Sequence, residues 1–136
     1  MVTGNDPIRW LLGRDVLTAH TSDTIRDAAR TLTEERVGVL VVLGADGPAG
    51  IVSERDLVRG VAEGADPDAE RVADVMTDLV LTVEPTEPIS AVAATMLANE
   101  IRHVVVVEGG RVEGIASIRD IVAVLLRESR PQLAAH

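Results

Sequence analysis

The chain has 136 residues, 46% of them hydrophobic, and carries 13 basic against 22 acidic residues for a net charge of −9. It has no cysteine, so disulfide scaffolds, cysteine-ligated zinc and thiol catalysis are excluded. Every basic residue is arginine and Trp10 is the sole Phe, Tyr or Trp, so no nucleic-acid partner is expected: little attracts a phosphate backbone or stacks on bases.

Taken in chain order, the opening Met1-Val-Thr-Gly-Asn-Asp lacks the basic start and apolar stretch of a secretory signal. The longest apolar runs, such as residues 37–43, fall far short of the ~20 residues that span a bilayer. A cytoplasmic protein without a membrane partner is expected. Residues 7–12 form a short helical lead-in, and residues 16–19 a brief strand. Ile25, Ala28, Ala29 and Leu32 recur at helical spacing, with Thr24 and Asp27 marking the helix start. Residues 39–43 are an unbroken valine and leucine run, the pattern of a strand buried on both faces. A turn at residues 44–48 leads into a strand ending at Ser53, and a helix over 54–63 follows. The stretch 64–70 links to a second series. That series has a lead-in at 71–76, a strand at 80–83, and a helix carrying Ile89, Val92, Ala93 and Met96 behind Pro88. A hairpin over 104–108 and 111–115 turns at Gly109-Gly110, and a helix covers 118–128. The tail, 129–136, carries no readable signal.

The two series are copies. Residues 8–61 lie over 72–125 at an offset of 64 with no insertion, and fourteen positions are identical. A period of 64 exceeds the 20–50 residues typical of stacked solenoid units, so two α/β units sharing a core fit better. Each copy alone would leave an apolar face wet, and leftover helical faces favour a dimer.

The repeated segment is Gly50-Ile-Val-Ser-Glu-Arg-Asp56 and Gly114-Ile-Ala-Ser-Ile-Arg-Asp120. It places a hydroxyl at a helix start and a carboxylate one turn in. One reading is structural: Ser-x-x-Asp is a capping box that satisfies orphan backbone N–H groups. The other is functional. A helix N-terminus suits a phosphate, and a neighbouring Asp can accept hydrogen bonds from the vicinal hydroxyls of a ribose.

The order of elements, the doubled Ser-x-Arg-Asp segment and the Arg102-His103-Val-Val-Val-Val strand resemble a cystathionine-β-synthase (CBS) domain pair. The resemblance covers residues 7–128. It implies an α/β fold, a tandem pair of βαββα units (7–63 and 71–128, joined by 64–70) related by a pseudo-twofold axis. It implies a regulatory, non-enzymatic Bateman module that binds an adenosyl ligand (AMP, ADP, ATP, NAD or S-adenosylmethionine) between the units and requires no cofactor. Signalling would follow from a change of conformation or partner, through a homodimer and a protein target that the residues do not name. Carried over by position, Ser53 and Asp56 belong to one cleft and Ser117 and Asp120 to the other. Ile51 and Ile115, with Thr18 and Thr82, flank the base. Copy two has Arg102-His103 where copy one has Gly38-Val39, so phosphate is assigned to Arg102, His103 and Arg119, with Arg55 as a further candidate. The alternative is a structural dimer whose segments only cap helices.

Other chemistry finds no support. His20, His103 and His136 lack metal-ligand spacing, and a Gly-rich phosphate loop ending in lysine needs a lysine. No Gly-x-Ser-x-Gly elbow is present. Trp10, in the lead-in, is read as a packing or dimer-edge residue.

Overall fold

A computed structural model describes residues 1–13, 15–78 and 81–128. Arg14, the first residue of the expected 80–83 strand and the tail lie outside the described residues. The chain divides into two compact units, one holding the described residues between 16 and 80, the other those before 16 and after 80.

In the first of these, β1 (Thr18–His20) pairs in parallel with β2 (Val39–Gly44), and β2 pairs antiparallel with β3 (Gly47–Ser53). The helix α1 (Ile25–Glu35) crosses between β1 and β2, and α2 (Glu54–Ala62) leaves β3 directly. Thr24 starts α1 with a complete capping box, its hydroxyl accepting from the Asp27 N–H and its own N–H donating to the Asp27 carboxylate. Leu40, Val42, Val52 and Ala19 point to the helix side and pack with Ile25, Ala28, Leu32 and Leu57. The valine-rich strand is buried as its composition requires: Leu40, Val41 and Val42 are all fully enclosed.

The other unit repeats the plan with β5 (Thr82–Val83), α4 (Ile89–Ala98), β6 (His103–Glu108), β7 (Arg111–Ser117) and α5 (Ile118–Glu128). Gly109 and Gly110 both take positive φ, 58° and 81°, as a tight primed hairpin turn demands. The matched positions Arg36 and Glu100 are left-handed as well, φ 56° and 54°, and follow α1 and α4 as helix stops.

Each lead-in packs on the core of the other repeat. The 3-10 turn Ile8–Leu11 buries Ile8 among Val83, Ile89, Val92 and Ile121, and Ile8 N–H donates to the Glu87 carbonyl at 2.8 Å. Reciprocally, α3 (Val72–Val75) buries Val72 against the first repeat's core, with Val72 N–H on the Asp23 carbonyl at 2.7 Å. The compact units therefore differ from the sequence repeats in which lead-in each one takes. Trp10 is 57% exposed, so its unit does not supply the packing expected of it; the turn's buried position goes to Ile8.

A short strand, β4 (Thr77–Asp78), follows α3 and joins the first sheet at β3, giving the order β1-β2-β3-β4. No sequence pattern announces it, because two residues carry no periodicity. Its approach explains one half of a repeated glycine. A Cβ on Gly50 would stand 2.5 Å from the Thr77 carbonyl and 2.9 Å from Met76 Sδ; on Gly114 it would meet Leu12 Cδ2 at 3.0 Å. Met76 and Leu12 are themselves repeat equivalents, so each glycine receives the other repeat's lead-in.

Candidate functional site

Both copies of the Ser-x-Arg-Asp segment stand where the last strand of a repeat passes straight into its last helix. In the first repeat the Glu54 N–H donates to the Gly38 carbonyl at 3.0 Å, tying the start of α2 to the residue before β2. In the second the Ile118 N–H donates to the Arg102 carbonyl at 2.8 Å, tying α5 to the start of β6. Residues 38 and 102 thus lie beside the helix N-terminus by backbone pairing, whatever their side chains.

Strand register gathers the other candidates. Thr82 is opposite Val105, Val105 is opposite Ile115, and His103 is opposite Ser117. Alternate residues share a face, so Thr82, Ile115, Ser117 and His103 occupy one side of the sheet. The core residues Val83, Val104, Val106 and Ala116 take the other side. The first unit does the same with Thr18, Ile51 and Ser53, but Val39 stands where His103 stands in the second. Arg55 and Arg119 are exposed in the first turns of α2 and α5. Ser, Arg and Asp of each segment stand at the junction, while Thr18 and Thr82 share its sheet face from two strands away.

The two junctions differ in their carboxylates. At both, the Asp N–H donates to the serine Oγ at 3.2 Å. In the first repeat the box closes: the Ser53 N–H donates to Asp56 Oδ2 at 2.9 Å. Arg59 Nη2 then donates to the remaining oxygen, Asp56 Oδ1, at 2.8 Å. Asp56 is 6% exposed, and it is the only charged or polar residue in the buried set among the described residues. In the second repeat Asp120 is exposed, and among the described residues no ion pair reaches it. The residue matching Arg59 is Ala123, which offers no donor.

Charge divides the junctions the same way. Arg55 and Arg119 are common to both first turns, but the second helix start also has Arg102 and His103 beside it through its backbone pairing. At the first, Gly38 and Val39 contribute none, and Glu54 Oε1 would lie 3.7 Å from a Cβ on Gly38. Sequence reasoning passed over Arg59 and Glu54. The signal was present for Arg59, since Asp56 and Arg59 are three apart on one helix and can pair.

Among the described residues no group of three or more His, Asp or Glu side chains is placed to hold a metal, and no helix is long and apolar enough to cross a membrane. The sequence profile of the CBS domain matches the chain twice, over residues 11–63 and 72–127. The chain belongs to the CBS-domain family. The order of elements found in both repeats is the tandem CBS arrangement.

Among relatives of this CBS chain, the mitochondrial CBS domain-containing protein CBSX3 of Arabidopsis thaliana is 34% identical over 119 residues, covering 83% of this chain and 58% of that protein. The chain thus spans somewhat over half the length of that relative. A CBS domain protein from Pyrobaculum aerophilum, solved in complex with AMP, is 36% identical with a TM-score of 0.73, covering 84% of this chain and 88% of that one. The CBS domain pair of protein MJ0100, solved with 5′-methylthioadenosine and S-adenosyl-L-methionine, is 27% identical with a TM-score of 0.72, covering 86% and 93%.

Proposed function

We propose that the chain is a regulatory module that binds an adenosine nucleotide or related adenosyl ligand through the strand-to-helix junction of its second repeat. The observation that carries this reading is the exposed Asp120 side chain, set one helical turn beyond Ser117 at a helix start that has Arg102 and His103 beside it and Arg119 in its first turn. Asp120 accepts the vicinal ribose hydroxyls, and an exposed carboxylate suits that diol. The positive end of the α5 dipole and the neighbouring arginines meet phosphate. Thr82 and Ile115, on the same sheet face, flank the base. The complexes of the Pyrobaculum and MJ0100 structures with AMP, 5′-methylthioadenosine and S-adenosyl-L-methionine support this ligand class.

The signal is a change of shape or of partner affinity, driven by the ligand's preference for one arrangement over another. A homodimer is the assembly we infer. Val58 and Val61 on α2 are 68% and 48% exposed, and Val122, the repeat equivalent of Val58 on α5, is 41% exposed. Apolar positions conserved between the two repeats and left open to water favour burial against a second copy.

Titration calorimetry with AMP, ADP, ATP, NAD and S-adenosylmethionine tests the reading, alongside mass spectrometry of small molecules released from the denatured protein. Binding of at least one ligand below millimolar concentration is expected. Absence of any such binding by ligand-free protein removes the sensor role. The alternative, in which the segment only caps a helix, is favoured at the first repeat by its closed box.

A further inference from the structure

The two repeats carry the same Ser-x-Arg-Asp segment, yet only one carboxylate faces water. We infer that Arg59 is a latch: it occupies the Asp56 oxygen that would accept a ribose hydroxyl, and so restricts the chain to one nucleotide. The inference rests on the reading of Asp120 as the diol acceptor in the second repeat.

Both oxygens of Asp56 already accept a hydrogen bond, and the side chain is enclosed. Oδ2 takes the Ser53 N–H at 2.9 Å, Oδ1 takes Arg59 at 2.8 Å, and the side chain is 8% exposed. A ribose must displace one of these donors. The Ser53 bond is backbone-held and part of the helix start, so it stays. Arg59 is the partner that stands in the way: it lies outside the backbone cap and covers the oxygen that the Ser53 N–H leaves open. Nothing of the kind happens in the second repeat, where Ala123 stands at the matching position.

The latch also bears on which ligand the first junction takes once opened. Helix α2 begins with Glu54, whose carboxylate lies near Gly38, where the second repeat has Arg102. A negative group at that spot already satisfies the positive end of the helix and repels phosphate. An opened first junction therefore accepts an uncharged adenosyl compound and rejects a nucleotide. In this chain the specificity lies in two residues outside the shared segment's common letters.

Equilibrium dialysis of the full chain with AMP and, separately, with 5′-methylthioadenosine tests this. The wild type binds one equivalent of AMP and no more than one of 5′-methylthioadenosine. Arg59→Ala and Arg59→Gln still bind one AMP but take a second equivalent of 5′-methylthioadenosine, and circular dichroism melting verifies that each variant is folded. Two equivalents of AMP on the wild type, or no added 5′-methylthioadenosine on either folded variant, overturns the latch. If the wild type binds neither compound, the assignment of Asp120 fails; a new equivalent of 5′-methylthioadenosine on Arg59→Gln would still sustain the latch.

Discussion

The two repeats start from the same segment and end in different states. At the first junction Ser53, Asp56 and Arg59 satisfy one another, and the carboxylate disappears from the surface. At the second, Ser117 is half of a cap and Asp120 stays in water beside a basic strand start. A motif shared by two copies is thus a buried, closed cap in one and an exposed, half-closed cap in the other. On the function we propose, the residue three positions past the motif decides which copy can bind. Duplication relaxes the demand on either copy, because one competent junction suffices for a single ligand.

The same contrast can be broken first through packing. Gly50→Ala forces a Cβ to 2.5 Å from the Thr77 carbonyl, a backbone atom that cannot swing away. Gly114→Ala meets the end of the Leu12 side chain at 3.0 Å, which can change rotamer. We expect Gly50→Ala to lose about 3 kcal/mol of unfolding free energy, the upper range for overpacking, and Gly114→Ala under about 1 kcal/mol. Urea denaturation of both variants measures the difference. Equal losses would mean that the lead-in moves as freely from one glycine as from the other.

Binding comes next. Asp120→Asn removes the charge from both hydrogen bonds to the ribose and should weaken AMP by ~30-fold, about 2 kcal/mol, since bonds to a charged group contribute ~1.5–3 kcal/mol. Asp56→Asn should leave AMP affinity within about twofold, and instead lower the melting temperature by loosening the cap and the Arg59 ion pair. Calorimetry and thermal melting on the same two proteins give both readouts. If Asp56→Asn weakened AMP as much as Asp120→Asn, the two junctions would be equivalent.

Much of this organisation is legible in the amino-acid sequence. The offset of 64 assigns the order of elements in both repeats, because buried valine runs and helical spacing recur together at Val41/Val105, Ile25/Ile89 and Gly50/Gly114. The Ser-x-Arg-Asp residues fall at the strand-to-helix junctions for the same reason: a polar start residue directly after an apolar strand has nowhere else to go. What stayed hidden depends on tertiary placement. Strand β4 exists only because Thr77 and Asp78 reach the edge of β3, and two residues have no period to read. The exchange of lead-ins is invisible to a repeat alignment, which pairs equivalent residues but not their neighbours. Burial of Asp56 against exposure of Asp120 likewise follows from surroundings that two identical segments cannot report.

A smaller effect separates the phosphate contacts. Arg102 has Gly38 as its counterpart, so Arg102→Ala makes the second junction resemble the first in charge. AMP affinity should fall by ~5-fold, about 1 kcal/mol, while adenosine affinity stays unchanged, because a partly exposed phosphate contact is screened by solvent. Raising salt should shrink the wild-type advantage over the variant. A matched loss for adenosine would place Arg102 in support of the strand rather than on phosphate.

The smallest expected difference is in acid. In the first unit Arg26 pairs with Asp68, and that hydrogen bond, ahead of the charge attraction, holds the Asp68 carboxyl below its ordinary range. The matching residue to Arg26 in the second repeat is Ser90, which has no such charge. A carboxyl whose folded pKa is depressed contributes stability above its unfolded value, near 4, and loses it as the pH falls through the folded one. Arg26→Ala should therefore be slightly less stable than wild type at pH 6, with the gap closing as the pH falls below about 4. Glu70 runs the other way: its hydrogen bond to Asp74 raises it, so its contribution is present in acid and fades as the pH rises. Because Glu70 is common to both proteins, subtracting their denaturation midpoints at each pH cancels it and isolates the Asp68 pair. Ser90→Ala should give a difference that does not vary over the same range. A pH-independent gap for Arg26→Ala would mean that Arg26 acts through packing of its stem, since a charge pair must vanish when Asp68 takes its proton.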